Sequence, residues 1–387
     1  MYAPPPGPPP PARDPVVDKK TKSYLPPPGP PPGFPHLVVF PFLSPDQLPT
    51  LYSQGWARVS LPSDHPLLSA AVKLFSASHN FFAMPLEHKE QFHLSKLGEE
   101  ESMQSSEEGW SRVAGEKEML TVRRMKPLCP PDLVPDAQDL WNECGSFMQL
   151  MMASMEQSLN LPKGAFDSLV KEECVPPKEK RHETLLRMFR YERAEEAKLV
   201  AAHHRDIGLL SLVIGSSPGL EVWDESVKQW IAIEENGEEN PPGGLTLTFM
   251  TGKTFTRLTN NRYRAGLHRV FVPPAPSSSS NDDAKYRYSL VYALRPYREA
   301  MLTTDDYTSD VTGPFEYPFE GVKAQTLFNA IASAHWSVNG DIKERERQRL
   351  KVQKMKEEVA REYAIGARPW TSWRQGCKDN GRQRVQL

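Results

Sequence analysis

Two histidines and one aspartate hold the chemistry most visible in this sequence: His204 and Asp206, two residues apart, and His268, about sixty residues further on. Two imidazoles and a carboxylate suit non-haem Fe(II), bound on one face with the opposite positions open. Along a strand, side chains alternate between faces, so residues i and i+2 share one. His204 and Asp206 can therefore reach one metal from a single strand while Arg205 turns away. His203, three residues before Asp206, falls on the other face. His268 must arrive from a second strand. Binding requires neutral imidazoles, so metal affinity should fall in mild acid. His-x-Asp is a common tripeptide, and its company has to decide its meaning.

A second pair lies downstream. Arg287 and Ser289 sit in the run Tyr286 to Leu294, whose β-branched and aromatic content reads as a buried strand. The period of two puts both on one face. A guanidinium fork takes a carboxylate bidentately, and a hydroxyl two residues on adds a further hydrogen bond. The pair suits the far carboxylate of a small dicarboxylic acid.

The motifs then fall in a recognisable order: Tyr191, His204 to Asp206, Pro218-Gly219-Leu220 with Val222, Trp230, Asn261 to Val270, and Arg287 to Ser289. This order resembles the isopenicillin N synthase-like family of Fe(II)/2-oxoglutarate-dependent dioxygenases. Upstream, Gly55 to Val59 resembles the family's first strand, and Ala77 to Lys89 resembles the end of its N-terminal helix. Gly115 to Glu118 follows at a fitting distance. The resemblance covers about residues 37 to 300.

The resemblance implies a jelly-roll core, the double-stranded β-helix. It implies Fe(II) on His204, Asp206 and His268, and 2-oxoglutarate as cosubstrate. The cosubstrate's distal carboxylate would rest on Arg287 and Ser289, with Tyr191 adding a hydrogen bond. Its keto-acid end would take two metal positions and leave one for O2. The implied reaction hydroxylates or desaturates a small organic substrate, releasing succinate and CO2. Ascorbate is a further reductant that such enzymes draw on. No catalytic residue beyond the metal centre is implied, and an intact Asp206 argues against a halogenase.

Three departures touch the cosubstrate and substrate contacts. Lys253 stands where the family usually has Asp, and Phe189-Arg190-Tyr191-Glu192 replaces Asn-Tyr-Tyr-Pro. The loop from Pro273 to Lys285 is longer than usual. Arg187, Phe189 and Trp110 are candidate wall residues, but the substrate itself is not legible. Two alternatives remain: an oxidase of the same fold that does not use 2-oxoglutarate, and a non-catalytic scaffold working through its tail.

Positioning such a site takes an α+β chain. Residues 1–36 form a proline-rich tract that favours extended polyproline II and will not pack. Its PxxP spacing matches what SH3- or WW-type grooves accept. Residues 37–180 read as a mostly helical N-terminal region. Leu67 to Phe82 has helical periodicity with Asp64 as N-cap, and Asp136 to Leu159 carries a methionine stripe suited to core packing. Residues 181–300 read as the jelly roll, with short strands separated by Ser-Pro-Gly, Asn-Gly and Pro-Gly turns. Residues 301–363 read as a C-terminal helical extension, including a charged solvated helix from Asp341 to Tyr363. Residues 364–387 read as a mobile tail.

The 387 residues are 39% hydrophobic, enough for one large domain with appendages. A net charge of −2 favours neither nucleic acid nor a membrane surface. No apolar run is long enough to cross a bilayer. Cys129, Cys144, Cys174 and Cys377 form no close pair, which suggests free thiols in a reducing, cytoplasmic setting.

Overall fold

The computed structural model describes residues 38–97, 107–234, 245–274 and 285–333, with 346, 347 and 350. The proline-rich tract, the body of the loop after Pro273, most of the charged C-terminal helix and the tail lie outside the described residues. Thirteen strands among the described residues make three sheets. β1 is Trp56–Val59, β2 Gly109–Val113, β3 Lys117–Val122, β4 Leu185–Glu192 and β5 Lys198–His204. β6 is Leu210–Gly215, β7 Leu220–Asp224, β8 Gln229–Ala232, β9 Thr246–Thr251, β10 His268–Val272 and β11 Tyr286–Leu294. The larger sheet runs β1-β9-β6-β11-β4-β3-β2 and the smaller β5-β10-β7-β8, every pairing antiparallel. The third sheet is only β12 (Met301–Leu302) with β13 (Val322–Lys323).

The five main helices are α1 (Leu48–Gln54), α2 (Pro66–Ala83), α3 (Val134–Ser158), α4 (Lys253–Leu258) and α5 (Ala324–Ser333). The parity of β11 explains how the layers stack. Tyr288, Leu290, Tyr292 and Leu294 join a large core shared with α2 and α3. Arg287, Ser289, Val291 and Ala293 alternate with them and so turn toward the smaller sheet. The second core lies there and is smaller, built from Met119, Phe189, Tyr191, Val200, Val213, Val222, Val270 and Val272 among others. The helices thus back one face of the large sheet and leave the other face for the inter-sheet space.

The methionines of α3 pack as expected: Met148, Met151, Met152 and Met155 are all buried in the helix–sheet core. Gly145 lets α3 pass close to the chain at Cys174, since an added Cβ would lie 2.0 Å from the Cys174 carbonyl oxygen. The N-cap of α2 is His65 rather than Asp64; its ring Nδ1 accepts the Leu67 N–H at 3.2 Å, and Pro66 begins the helix. The β2–β3 hairpin, absent from the strands expected of the sequence, extends the large sheet. Among the described residues, no helix is long and apolar enough to cross a membrane.

Candidate metal centre

The two histidines meet because their strands are neighbours in register. On β10, His268 faces His204 of β5 on one side and Val222 of β7 on the other. A bulge between His268 and Val270 breaks the β5 pairing just there. The ring centroids are 4.2 Å apart. β5 ends at His204, so Asp206 does not share its strand, contrary to the single-strand expectation. It lies two residues into the turn toward β6. That turn is held by main-chain contacts: Lys253 N–H donates to the Asp206 carbonyl at 2.8 Å, and Arg205 Nε reaches the Ala265 carbonyl at 3.0 Å, turned away from the site.

Each imidazole has its tautomer set by the backbone. His204 Nδ1 lies 2.8 Å from the Ala202 carbonyl and His268 Nδ1 lies 3.2 Å from that of Gly266. Both Nδ1 atoms therefore carry the proton, which leaves each Nε2 lone pair free. Both Nε2 atoms are 3.8 Å from Asp206 Oδ1, and one ligand atom from each residue falls within a common 4.8 Å. Ser211 Oγ, from β6, donates to the other carboxylate oxygen at 2.5 Å and orients it. His268 is buried, whereas His204 and Asp206 keep partly exposed side chains, so the cluster has one open side.

The electrostatics favour a ligand-ready state. Burial pushes the His204 imidazole down to about 3; His268 adds to this and Asp206 opposes it. For Asp206, burial acts to raise the carboxyl. The two imidazoles, the Ser211 hydroxyl and Arg295 outweigh it and hold the group below its ordinary value. At neutral pH, His204 is neutral and Asp206 ionised.

The second expected cluster also assembles. Arg287 stands opposite Tyr191 in the β11–β4 register, with its guanidinium carbon 5.3 Å from the Tyr191 ring centre. Burial pushes the Tyr191 phenol up, and Arg287 and a hydrogen bond with Ser289 oppose that. A residue not anticipated joins them. Glu234, just after β8, takes Arg287 Nη2 at 2.9 and 3.0 Å, both groups being almost wholly buried. Arg287 Nε donates to the Ser217 carbonyl at 3.0 Å, and Nη1 has no hydrogen-bond partner among the described residues. Of the suggested wall residues, Arg187 and Phe189 face the inter-sheet space. Trp110 does not: it sits in the helix-side core with its indole N–H on Glu118 at 3.2 Å.

The model of the 2OG-Fe(II) oxygenase superfamily matches residues 182–296, the stretch that carries both clusters. Proline hydroxylase buaE of Petromyces alliaceus is 24% identical over 284 residues, 65% of this chain and 80% of that protein. The 2-oxoglutarate-dependent dioxygenase htyE of Aspergillus rugulosus is 25% identical over 186 residues, 46% of this chain and 52% of that protein. Residues 182–296 carry a 2OG-Fe(II) oxygenase domain.

The oxygenase also shares its fold with solved structures. A full-length Neurospora crassa protein in complex with alpha-KG and 5-formyluracil matches with TM-score 0.52 at 19% identity, over 73% of this chain and 87% of that one. A 2OG-Fe(II) oxygenase family protein from Caulobacter crescentus matches with TM-score 0.53 at 23% identity, over 73% and 90%. Fe(II) and 2-oxoglutarate are the superfamily's cofactor and cosubstrate, and this oxygenase has groups that fit both. Two free Nε2 lone pairs and an ionised carboxylate suit Fe(II). A buried, unpartnered guanidinium N–H offers a hydrogen bond to an oxygen of the cosubstrate.

Proposed function

We propose that His204, Asp206 and His268 hold the Fe(II) of this oxygenase. We further propose that Arg287, Ser289 and Tyr191 receive the distal carboxylate of 2-oxoglutarate. The substrate is a small organic molecule, and the motif order fits the isopenicillin N synthase-like group. The observation that carries the reading is the convergence of three ligand atoms from β5, β10 and the turn after β5 within 4.8 Å.

When bound, the iron with 2-oxoglutarate and O2 supplies the oxidising power, and the cosubstrate leaves as succinate and CO2. The chain's part is positioning and exclusion of water. The Ala202 and Gly266 carbonyls hold the two rings with Nε2 forward. Ser211 fixes the carboxylate. Val200, Val222, Val270 and Val272 make the surrounding inter-sheet space apolar. Arg187 and Phe189 stand on the inner face of β4 as contacts for substrate. Hydroxylation is the favoured outcome, in line with the relative named a proline hydroxylase.

The test is succinate formation. Protein loaded with Fe(II) in the presence of O2 should convert 2-oxoglutarate to succinate and CO2 at a slow basal rate, and faster when a correct substrate is added. Fe(II)-loaded protein that forms no succinate above a metal-free control would overturn the proposal.

A further inference from the structure

Glu234 is a buried acid of the cosubstrate region for which positioning the metal and the 2-oxo acid gives no role. Its carboxylate is held by two donors. Both oxygens accept from Arg287 Nη2, and Oε2 also accepts the Leu220 N–H at 2.7 Å. Two glycines leave the space. A Cβ on Gly215 would lie 2.0 Å from Glu234 Oε1, and a Cβ on Gly219 would lie 2.4 Å from Arg287 Nε. The pair is therefore built into β6, β7, β8 and β11 together rather than reached by a flexible side chain. Meanwhile Arg287 Nη1 and Thr246 Oγ1 are buried with no hydrogen-bond partner among the described residues. Gly215 places Thr246 beside Glu234, because its Cβ would also lie 3.2 Å from Thr246 Oγ1.

A buried arginine has one positive charge to offer. With Glu234 beside it, that charge is already matched. An incoming carboxylate then gains a hydrogen bond from Nη1 but little net Coulomb attraction, and it adds a second negative charge to the cluster. A neutral acceptor, such as an amide or ester oxygen, gains the same hydrogen bond without that repulsion.

We propose that Glu234 is a specificity-determining residue of the cosubstrate pocket. It occupies the Arg287 fork, weakens 2-oxoglutarate binding, and lets 2-oxo acids with an uncharged, hydrogen-bond-accepting distal end compete with it. The proposal rests on the placement of the 2-oxoglutarate distal end at Arg287. It makes Glu234 a positioning residue that acts through Arg287.

Two measurements test it, both by calorimetric titration of the full chain loaded with Mn(II), without turnover. In the wild type, 2-oxoglutarate and its 5-methyl ester should bind within about tenfold of each other, since a matched arginine loses most of its preference for charge. A preference for 2-oxoglutarate of about a hundredfold or more would overturn the proposal and needs no variant to fold. In Glu234→Gln, which keeps an oxygen acceptor for the Leu220 N–H, 2-oxoglutarate should bind about tenfold to a hundredfold tighter and the ester should change little. Unchanged or weaker 2-oxoglutarate binding in a folded Glu234→Gln protein would overturn the Glu234 role alone. If Mn(II) binds but neither protein takes up 2-oxoglutarate, the placement at Arg287 fails along with it.

Discussion

Ser211→Ala removes one oxygen atom from a buried position and nothing else, so its effect on metal binding can be worked out. Ser211 is 1% exposed, and its hydroxyl donates to Asp206 Oδ2 at 2.5 Å. Asp206 is ionised, so this is a charge-assisted bond, worth about 1.5–3 kcal/mol. Without it the carboxylate is free to rotate away from the two Nε2 atoms, and its proton affinity rises because a donor that held it down is gone. Both changes act against the metal. Outer contacts of this kind alter metal affinity by about tenfold to a hundredfold. Titration of the apo protein with Co(II), followed by its visible absorption, reads the affinity directly. The variant should bind one Co(II) per chain about tenfold to a hundredfold more weakly, with the loss growing as pH is lowered. A Co(II) affinity essentially equal to wild type across the same pH range would refute the reasoning, because Asp206 would then not need Ser211 to present its oxygen.

Other predictions reach beyond the metal. Burial pushes Glu173 up to about 7 from its ordinary 4.5, although it accepts the Thr184 N–H at 2.7 Å. The folded protein therefore holds that proton where the unfolded chain has released it, and stability falls as pH rises from 4.5 through about 7. The loss is about 3 kcal/mol. Denaturant unfolding of Glu173→Gln should lack this slope, and parallel pH profiles for variant and wild type would contradict it. Gly145→Ala gains about 1 kcal/mol of helix propensity. It also drives a Cβ to 2.0 Å from the Cys174 carbonyl oxygen, so a net fall in melting temperature is expected by calorimetry. Arg287→Lys keeps a positive charge for Glu234 but loses the unpartnered Nη1. The KM for 2-oxoglutarate should rise about tenfold or more in a succinate assay, and an unchanged KM would argue against the clamp.

Much of this arrangement is legible because strands impose a period of two. The limits of β11 agree with the sequence reading, and the shared face of Arg287 and Ser289 follows from the same rule. The pairing of His268 with His204 follows less directly, since register across some sixty residues has no local signal. The rule misleads where the strand stops: Asp206 lies in a turn, and its side chain reaches the histidines through contacts with Lys253 and Ser211 that are distant in sequence or on another strand. Size and residue type alone suggest Trp110 as a wall of the site. The β2 register puts it on the helix side instead, where Glu118 satisfies its N–H. His65 displaces Asp64 as cap because either polar side chain can serve, and one residue of offset decides between them. Glu234 has no local mark at all. It stands in an acidic stretch, and only the space left by Gly215 and Gly219 reveals that a carboxylate is held there.

The central claim is tested most directly by metal stoichiometry. Under anaerobic conditions the full chain should bind one Fe(II), and His204→Ala, Asp206→Ala and His268→Ala should each abolish tight binding while remaining folded by circular dichroism. Retention of one tightly bound Fe(II) in a protein with all three replaced would contradict the account.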